Sequence, residues 1–339
     1  MIIINNTPFL AQTLPWRDAA GNPFISIIVK GTFEIRPNEA APVAEEQIPI
    51  FFADEPYGEG KSIRFESDMA PLKPRADIVL VGHAHAPRGT PTDACFVSLR
   101  IGGLTRRLAV YGDRHWNFSS KLLGITVSPP VPFTSMELVY ERSFGGMDPM
   151  SGDWCRENPL GRGLFTKQSK ETLNGALLPN IEDPDDIMQS WDHKPKPVGF
   201  GFYGRVWEPR FSYMGTYDEI WRKERSPDPP EDFSYDYYNG AHPDLQVEEY
   251  LAGDEDVELN NLTPDGNVLF RLPGIRLSAS VSRKKESSDE IVVEDPLTLN
   301  LDTLCFIPDE KRFYQLWRGL CPLRDISAVE IREIEINKV

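Results

Sequence analysis

No part of the chain approaches the run of about 20 apolar residues that crosses a bilayer, and the opening MIIINNTPFLAQTLPWRD lacks the basic start and apolar length of a secretory signal. Basic charge is scarce: 36 Lys and Arg stand against 52 Asp and Glu, for a formal net charge of -16. Nucleic acids and anionic membranes both select concentrated basic surface, so neither is expected as a partner. Cysteine is scarce as well. The four present, Cys95, Cys155, Cys305 and Cys321, show no CxxC or paired spacing, which points to structural thiols in a reducing, cytoplasmic setting. Internal repeats and low-complexity tracts are absent.

Proline and glycine are plentiful, 30 and 25 residues, and they crowd a central stretch from Met136 to Tyr238. Neither a long helix nor a central strand tolerates them at that density. The same stretch holds Trp154, Trp191, Trp207 and Trp221, four of the chain's seven tryptophans. Disordered linkers are poor in aromatics, so the stretch reads as an ordered surface built from loops and held by aromatic anchors. It is the expected working face.

The flanks read as strands. Phe24 to Ile35 is β-branched and aromatic, with Gly31 as an expected bulge. A short strand is expected within IPIFFADEPYG (Ile48 to Gly58), and a buried one over Ala76 to Pro87. Alternation at Val97, Leu99 and Ile101 and again at Leu108 and Val110, across Gly102-Gly103, predicts a tight hairpin. Met136 to Arg142 reads as a further strand. Thr216 to Arg225 and Gln246 to Ala252 read as short helices. Beyond Gly253, strands flank the turn Thr263-Pro264-Asp265-Gly266. Ser282 to Glu290, charged and without apolar period, reads as a loop. Leu297 to Ile307 and Phe313 to Gly319 predict a hairpin through PDEKR, and VEIREIEI closes the chain in alternation. The expected fold is therefore mainly β, with antiparallel sheets packed as a sandwich or barrel-like domain. Residues 1–135 and 246–339 are expected to pack together around a loop-rich insertion, 136–245, with a few short helices.

Three groups of residues bear chemistry. His83 and His85, two apart on a strand, share a face in the manner of some metal sites, with His115 or Asp113 as a third ligand. The competing reading, which we favour, is a hydrogen-bonded strand end, with no metal and no cofactor. Glu141, Asp148, Asp153 and Glu157 with Arg142 and Arg162 form a charge-rich run. Paired carboxylates do acid-base work in glycosidases, but such residues more often satisfy loop amides and pair with arginines. Gly145-Gly146 and Gly199 to Gly201 do not join a strand to a helix start and bind no phosphate on that ground. Arg205, Trp207, Arg210, Tyr217, Trp221 and Arg222, with Arg225 beyond, form the strongest pattern, since Arg and Trp dominate binding hot spots. The same residues also serve as internal staples through guanidinium-aromatic stacking. An inner set is expected to hold the loops and an outer set to touch a partner.

KGTFEI, RADIVLVGHAHAP, MELVYERSFGG, ENPLGRG, LPNIEDP, PVGFGFYGRVWEPR, GTYDEIW, DFSYDYYNGAHPDLQ, LAGDEDVELNNLTPDG and WRG resemble, in this order, a bacterial family catalogued as a domain of unknown function. Its members are encoded beside spike-tip and toxin genes of the type VI secretion system. The resemblance implies a cytoplasmic adaptor or chaperone that helps an effector toxin load onto the VgrG or PAAR spike. It implies no catalytic residue, no cofactor and no small-molecule substrate. At Asn239 to His242 this chain is more polar than the resemblance leads one to expect. A β-sandwich enzyme or carbohydrate-binding protein, using loop tryptophans and carboxylates, is the alternative from the residues alone.

Overall fold

The structure is a computed structural model that describes residues 1–118, 124–284, 291–323 and 331–339. Fifteen strands build two sheets: β1 (Ile2–Asn5), β2 (Leu10–Arg17), β3 (Pro23–Glu34), β4 (Ala76–Leu80), β5 (Ala94–Ile101), β6 (Leu104–Tyr111), β7 (Ile181–Glu182), β8 (Gln246–Val247), β9 (Asp256–Thr263), β10 (Gly266–Arg271), β11 (Leu277–Lys284), β12 (Ile291–Val293), β13 (Leu297–Ile307), β14 (Arg312–Pro322) and β15 (Ile331–Lys338). The fold is mainly β, as expected.

The larger sheet runs β1-β15-β11-β13-β14-β3-β2, with β4 beside the second half of β13, β8 on β4 and β12 on β11. Strands from both ends of the chain thus share one sheet. β1 pairs parallel with β15 and lies at one end of the path, while β2, a few residues further along the chain, lies at the other. The sheet therefore curls into a nearly closed barrel. Phe9, in the link between these strands, stacks on Trp317 at 5.5 Å and meets Phe33 at 5.6 Å. Gly31 is not a bulge, because β3 keeps regular register with β14 throughout. Its missing side chain makes room for Phe9, whose ring would lie 2.7 Å from an added Cβ.

Alternation along β3 and β14 separates two faces. Ile25, Ile27, Val29 and Phe33 with Phe313 and Trp317 form the apolar one. The opposite face carries Ser26, Lys30, Thr32 and Arg318, all buried. The second sheet, β7-β6-β5-β9-β10, packs its Phe270 on Phe306 at 6.0 Å and on Phe313 at 5.6 Å. Its edge at β10 is covered by residues 38–41, since Asn38 N–H donates to the Leu269 carbonyl at 2.7 Å.

The polar face is a chain of ion pairs. Lys30 Nζ lies 2.8 Å from Asp68, and Arg318 bonds both the Asp302 carboxylate and the Asp68 carbonyl, the latter at 3.0 Å. Lys73 Nζ reaches Asp77 at 2.7 Å and Thr303 Oγ1 at 3.0 Å. Asp77 in turn accepts from Asn239 Nδ2 at 3.0 Å and from Gly240 N–H at 2.8 Å. Burial works against each isolated charge, holding Lys30 below its ordinary range and Asp68 above its own.

Several local expectations are corrected. Met136 to Arg142 is not one strand: Ser135–Glu137 pairs with His83–His85, and a 3-10 turn follows at Tyr140–Arg142. Gln246 to Ala252 is not helical, because Gln246–Val247 pairs with Ala76 and Asp77 instead. IPIFFADEPYG contributes only Glu55–Pro56, and Ala76 to Pro87 breaks at Val81-Gly82 into two strands. Within the charged run, Ser282 to Lys284 belongs to β11, and 285–290 lie outside the described residues. So do Val329 and Glu330 of the final alternating segment. The hairpins β5-β6, β9-β10 and β13-β14 form as expected.

Replacing Asp302 by Asn leaves Arg318 buried without a carboxylate, and urea unfolding should show a loss of about 3–5 kcal/mol. The double variant Asp302→Leu with Arg318→Met should regain part of that loss. A single variant with wild-type stability would remove this pair from the fold's requirements.

Candidate functional site

Local rules shape the loop-built region. Asn158 is fully buried; its Nδ2 donates to the Tyr140 and Phe144 carbonyls, both at 2.9 Å, and its carbonyl accepts from Gly146 N–H at 2.8 Å. Phe144–Gly145 can then run parallel to Arg162–Gly163. Gly145 and Gly146 have φ of +144° and +86°, and a Cβ on either would strike the Asn158 or Gly161 carbonyl at 2.2 or 2.3 Å. The FGG and ENPLGRG segments are thus two halves of one lock. Asp148, also fully buried, accepts from the N–H groups of Met150, Ser151 and Thr166 and from the Ser169 hydroxyl. It holds a rigid loop between Met147 and Trp154, which pair across an isolated bridge. Met147, Met150 and Trp154 are nevertheless 65%, 61% and 50% exposed.

The six residues singled out as partner-binding fall into two groups. Trp207 is buried, edge-on to Tyr140 and Tyr203 at 5.3 Å each. Arg210 is buried as well and bonds Glu66 at 2.7 Å and the Tyr203 and Tyr237 carbonyls. Arg205 reaches Asp54 at 3.0 Å and Glu66 at 3.2 Å. These three are staples, extending the ion-pair chain of the sheet into the loops, and Trp207 and Arg210 leave no surface for a partner. Tyr217, Trp221 and Arg222 lie further out, with Tyr217 edge-on to Trp221 at 4.6 Å. Trp221 and Arg222 stand on a short helix, Glu219–Glu224, capped by Asp218. Tyr217 and Arg222 are exposed, and half-buried Trp221 donates its Nε1–H to the Asp228 carbonyl at 2.8 Å. Arg225, beyond the helix, pairs with Glu231 at 2.7 Å.

Between the staples and the Met147 to Trp154 loop opens a cleft of about 770 Å³. Phe144, Trp154, Leu164, Tyr203 and four prolines, Pro195, Pro197, Pro209 and Pro243, line it. Arg106 on β6 crosses one wall, paired with Asp183 at 3.1 Å and Asp244 at 3.2 Å. A histidine and a thiol lie along its wall. His242 contacts the Pro197 carbonyl through Nε2 at 3.1 Å, and its Nδ1 accepts from Asp244 N–H at 3.2 Å. Burial pushes its pKa down, toward the neutral ring. Burial also pushes the Cys155 thiol up to about 11, far from a thiolate at neutral pH. Sequence reasoning did not pick out this cleft. Its signals were Lys194-Pro195-Lys196-Pro197, an extended strap by its prolines, and a tryptophan inside a glycine-rich run.

The other candidate chemistry resolves into structure. Asp309 joins His83 Nδ1 at 2.7 Å and His85 Nε2 at 2.8 Å. The two imidazoles share a face as their spacing requires, but the partner is this carboxylate, not the backbone of a strand end. Neither His115 nor Asp113 joins them: His115 lies in an isolated bridge to Leu177, and Asp113 accepts from Asn180 at 2.9 Å. Among the described residues no cluster of His, Cys, Asp or Glu is arranged to hold a metal ion. Of the charge-rich run, Glu141 accepts from Ser62 N–H and Oγ at 2.7 and 2.8 Å, and Asp148 serves the loop amides above.

A family model described as an uncharacterized protein conserved in bacteria (DUF2169) matches residues 20–318. No curated protein and no solved structure matches the chain. Among the described residues no helix is long and apolar enough to cross a membrane.

Trp207→Ala should lower unfolding free energy by about 3–5 kcal/mol in urea titrations, as for other buried aromatics. Arg222→Ala should leave it unchanged, and equal effects would refute the division into staples and outer residues. Histidine titrations followed by NMR should place His83 above and His242 below about 6.5. The hydrogen bond to Asp309 raises His83, so its stabilisation is full below that pH and fades as pH rises through the raised value. His242 is lowered, so its contribution is full above about 6.5 and fades as pH falls through the lowered value. The reverse order of midpoints would overturn both assignments.

Proposed function

We propose a carrier function for this chain, which belongs to the DUF2169 family of bacterial proteins: a non-enzymatic cytoplasmic adaptor that binds an effector toxin and helps load it onto the VgrG or PAAR spike of a type VI secretion system. The observation that carries the reading is the open cleft of about 770 Å³ beside half-exposed Trp154, where both ring nitrogens of His242 are engaged by backbone groups and burial keeps the Cys155 thiol protonated. A carrier needs a preformed face with aromatic anchors and must leave its cargo chemically intact. The order of the motifs quoted above supports the secretion context, and the acidic composition supports solubility of the unloaded carrier.

A carbohydrate-binding reading draws on Trp154 lining the same cleft as Glu157 and Glu208. Stacking of a sugar on an indole beside carboxylates is a common arrangement. Glycan-array binding, abolished by Trp154→Ala, would replace the carrier reading.

If an effector toxin is encoded beside this gene, co-expression with it should yield a stable complex on affinity purification, and deletion should reduce toxin solubility and delivery. Absence of any complex, with solubility and delivery unchanged, would dismiss the adaptor.

A further inference from the structure

The outer members of the Arg and Trp set border a second concavity, apart from the cleft. The short helix Glu219–Glu224 and the segment 230–232 face each other across a groove of about 540 Å³. That segment is tied to both ends of the helix. Before the helix, Thr216 donates its N–H and Oγ1 to Asp232 at 2.9 and 2.8 Å; after it, Arg225 pairs with Glu231 at 2.7 Å. Gly215, with φ of +80°, permits the first tie, because a Cβ there would lie 2.8 Å from the Asp232 carboxylate. Trp221, fixed by its bond to the Asp228 carbonyl, and buried Pro230 supply apolar wall, and Ile220 lines the groove although 64% exposed. The groove is preformed.

Charge around it is one-sided. Asp218, Glu224, Glu231 and Asp232 line the groove against a single cation, Arg225, and Glu231 occupies that one. Asp218 accepts from Trp221 N–H at 2.8 Å and Asp232 from Thr216, but among the described residues neither of them nor Glu224 has an ion pair. The cations of the same helix turn elsewhere: Arg222 and Lys223 do not line the groove and lie 3.6 and 3.7 Å from Glu219. Three uncompensated carboxylates thus ring exposed apolar surface, and within a Debye length, about 8 Å at physiological salt, their local sum decides what is attracted.

We propose that this groove docks an extended basic segment of a partner polypeptide, with an apolar side chain laid on Ile220 and Trp221 and a Lys or Arg on either side of it, one meeting Asp218 and Asp232 and the other Glu224. Asp218 and Glu224 stand about 9 Å apart along the helix, a span that extended chain covers in about three residues. Alkyl stems of Lys and Arg add cover over the indole while their heads reach the carboxylates. The inference rests on the carrier reading in taking a polypeptide as the partner, and it gives the carrier a contact separate from the cleft.

Fluorescence anisotropy with three labelled peptides of equal length tests this. Each has a central Leu-Leu, flanked on both sides by Lys in the first, Gln in the second and Glu in the third. The Lys peptide should bind most tightly. The combined variant Asp218→Asn, Glu224→Gln, Asp232→Asn keeps the shape and the helix cap, and it should weaken the Lys peptide about tenfold, the amount three exposed ion pairs supply together. A control, Glu45→Gln, Glu46→Gln, Asp93→Asn, removes the same charge from exposed positions elsewhere and should leave binding unchanged. Ile220→Ser should weaken the Lys and Gln peptides alike, and unchanged melting temperatures confirm the fold of every variant. No binding of the Lys peptide, equal binding of the Gln peptide, or a control as damaging as the groove variant would overturn the proposal. Capture of a co-expressed toxin separates the two readings. If toxin is captured and the Lys peptide shows no preference for the groove, the groove assignment falls and the carrier stands; if the peptide preference holds and no toxin is captured, the carrier falls and the groove assignment stands.

Discussion

A chain of buried ion pairs between the polar face of the large sheet and the loops that cover it is the constraint on which the rest depends. Lys30 and Arg318 on β3 and β14 hold Asp68, Lys73 holds Asp77 to the Thr303 hydroxyl, and Asp77 grips the backbone at Gly240. Glu66, close along the chain to Asp68, continues the series outward to Arg210 and Arg205. Desolvated charge is costly unless every member is met, so such a series tolerates few alternative arrangements of the loops above it. An apolar interface would let those loops slide; this one indexes them to the barrel.

Order in a region so rich in glycine and proline follows from that indexing and from the locks within it. Asn158 and Asp148 each satisfy several backbone groups from a buried position, and the edge-on trio of Tyr140, Tyr203 and Trp207 fills the space between. Irregular backbone is thereby made rigid without regular hydrogen-bond ladders. Rigidity allows Met147, Met150 and Trp154 to remain exposed on a defined loop, and it keeps the neighbouring cleft open. A preformed apolar surface loses less conformational entropy on association, which suits the proposed carrier.

The polar residues at Asn239 to His242 have their place in the same frame. These residues are buried, not a surface loop: Asn239 and Gly240 bond Asp77, and His242 bonds the strap at Pro197. Polarity there serves the interior. The acidity of the whole chain likewise does not describe the cleft, whose lining balances Arg106, Arg156, Lys194 and Lys196 against Glu157, Asp183, Glu208 and Asp244.

By itself the sequence determined the hairpins and much of the strand framework, though not β1 and β2 at the two ends of the large sheet, because alternation over β5, β9 and β15 and the apolar runs of β3 and β13 encode burial locally. It also marked the loop-built stretch as ordered, through its aromatics. Several matters were left to tertiary structure. Gln246 and Val247 became a strand only because Ala76 and Asp77 offered an edge, and Gly31 proved a seat for Phe9 rather than a bulge. Which arginines and tryptophans turn inward depended on acids far away in the chain, Asp54 and Glu66, that no local spacing relates to Arg205 and Arg210. The cleft arose in the same way, since its walls come from segments at about Arg106, Trp154, Lys194, Pro209 and His242. Periodicity reports which side of an element is buried; it carries no information on which distant segment does the burying, and a concave site between loops is made of nothing else.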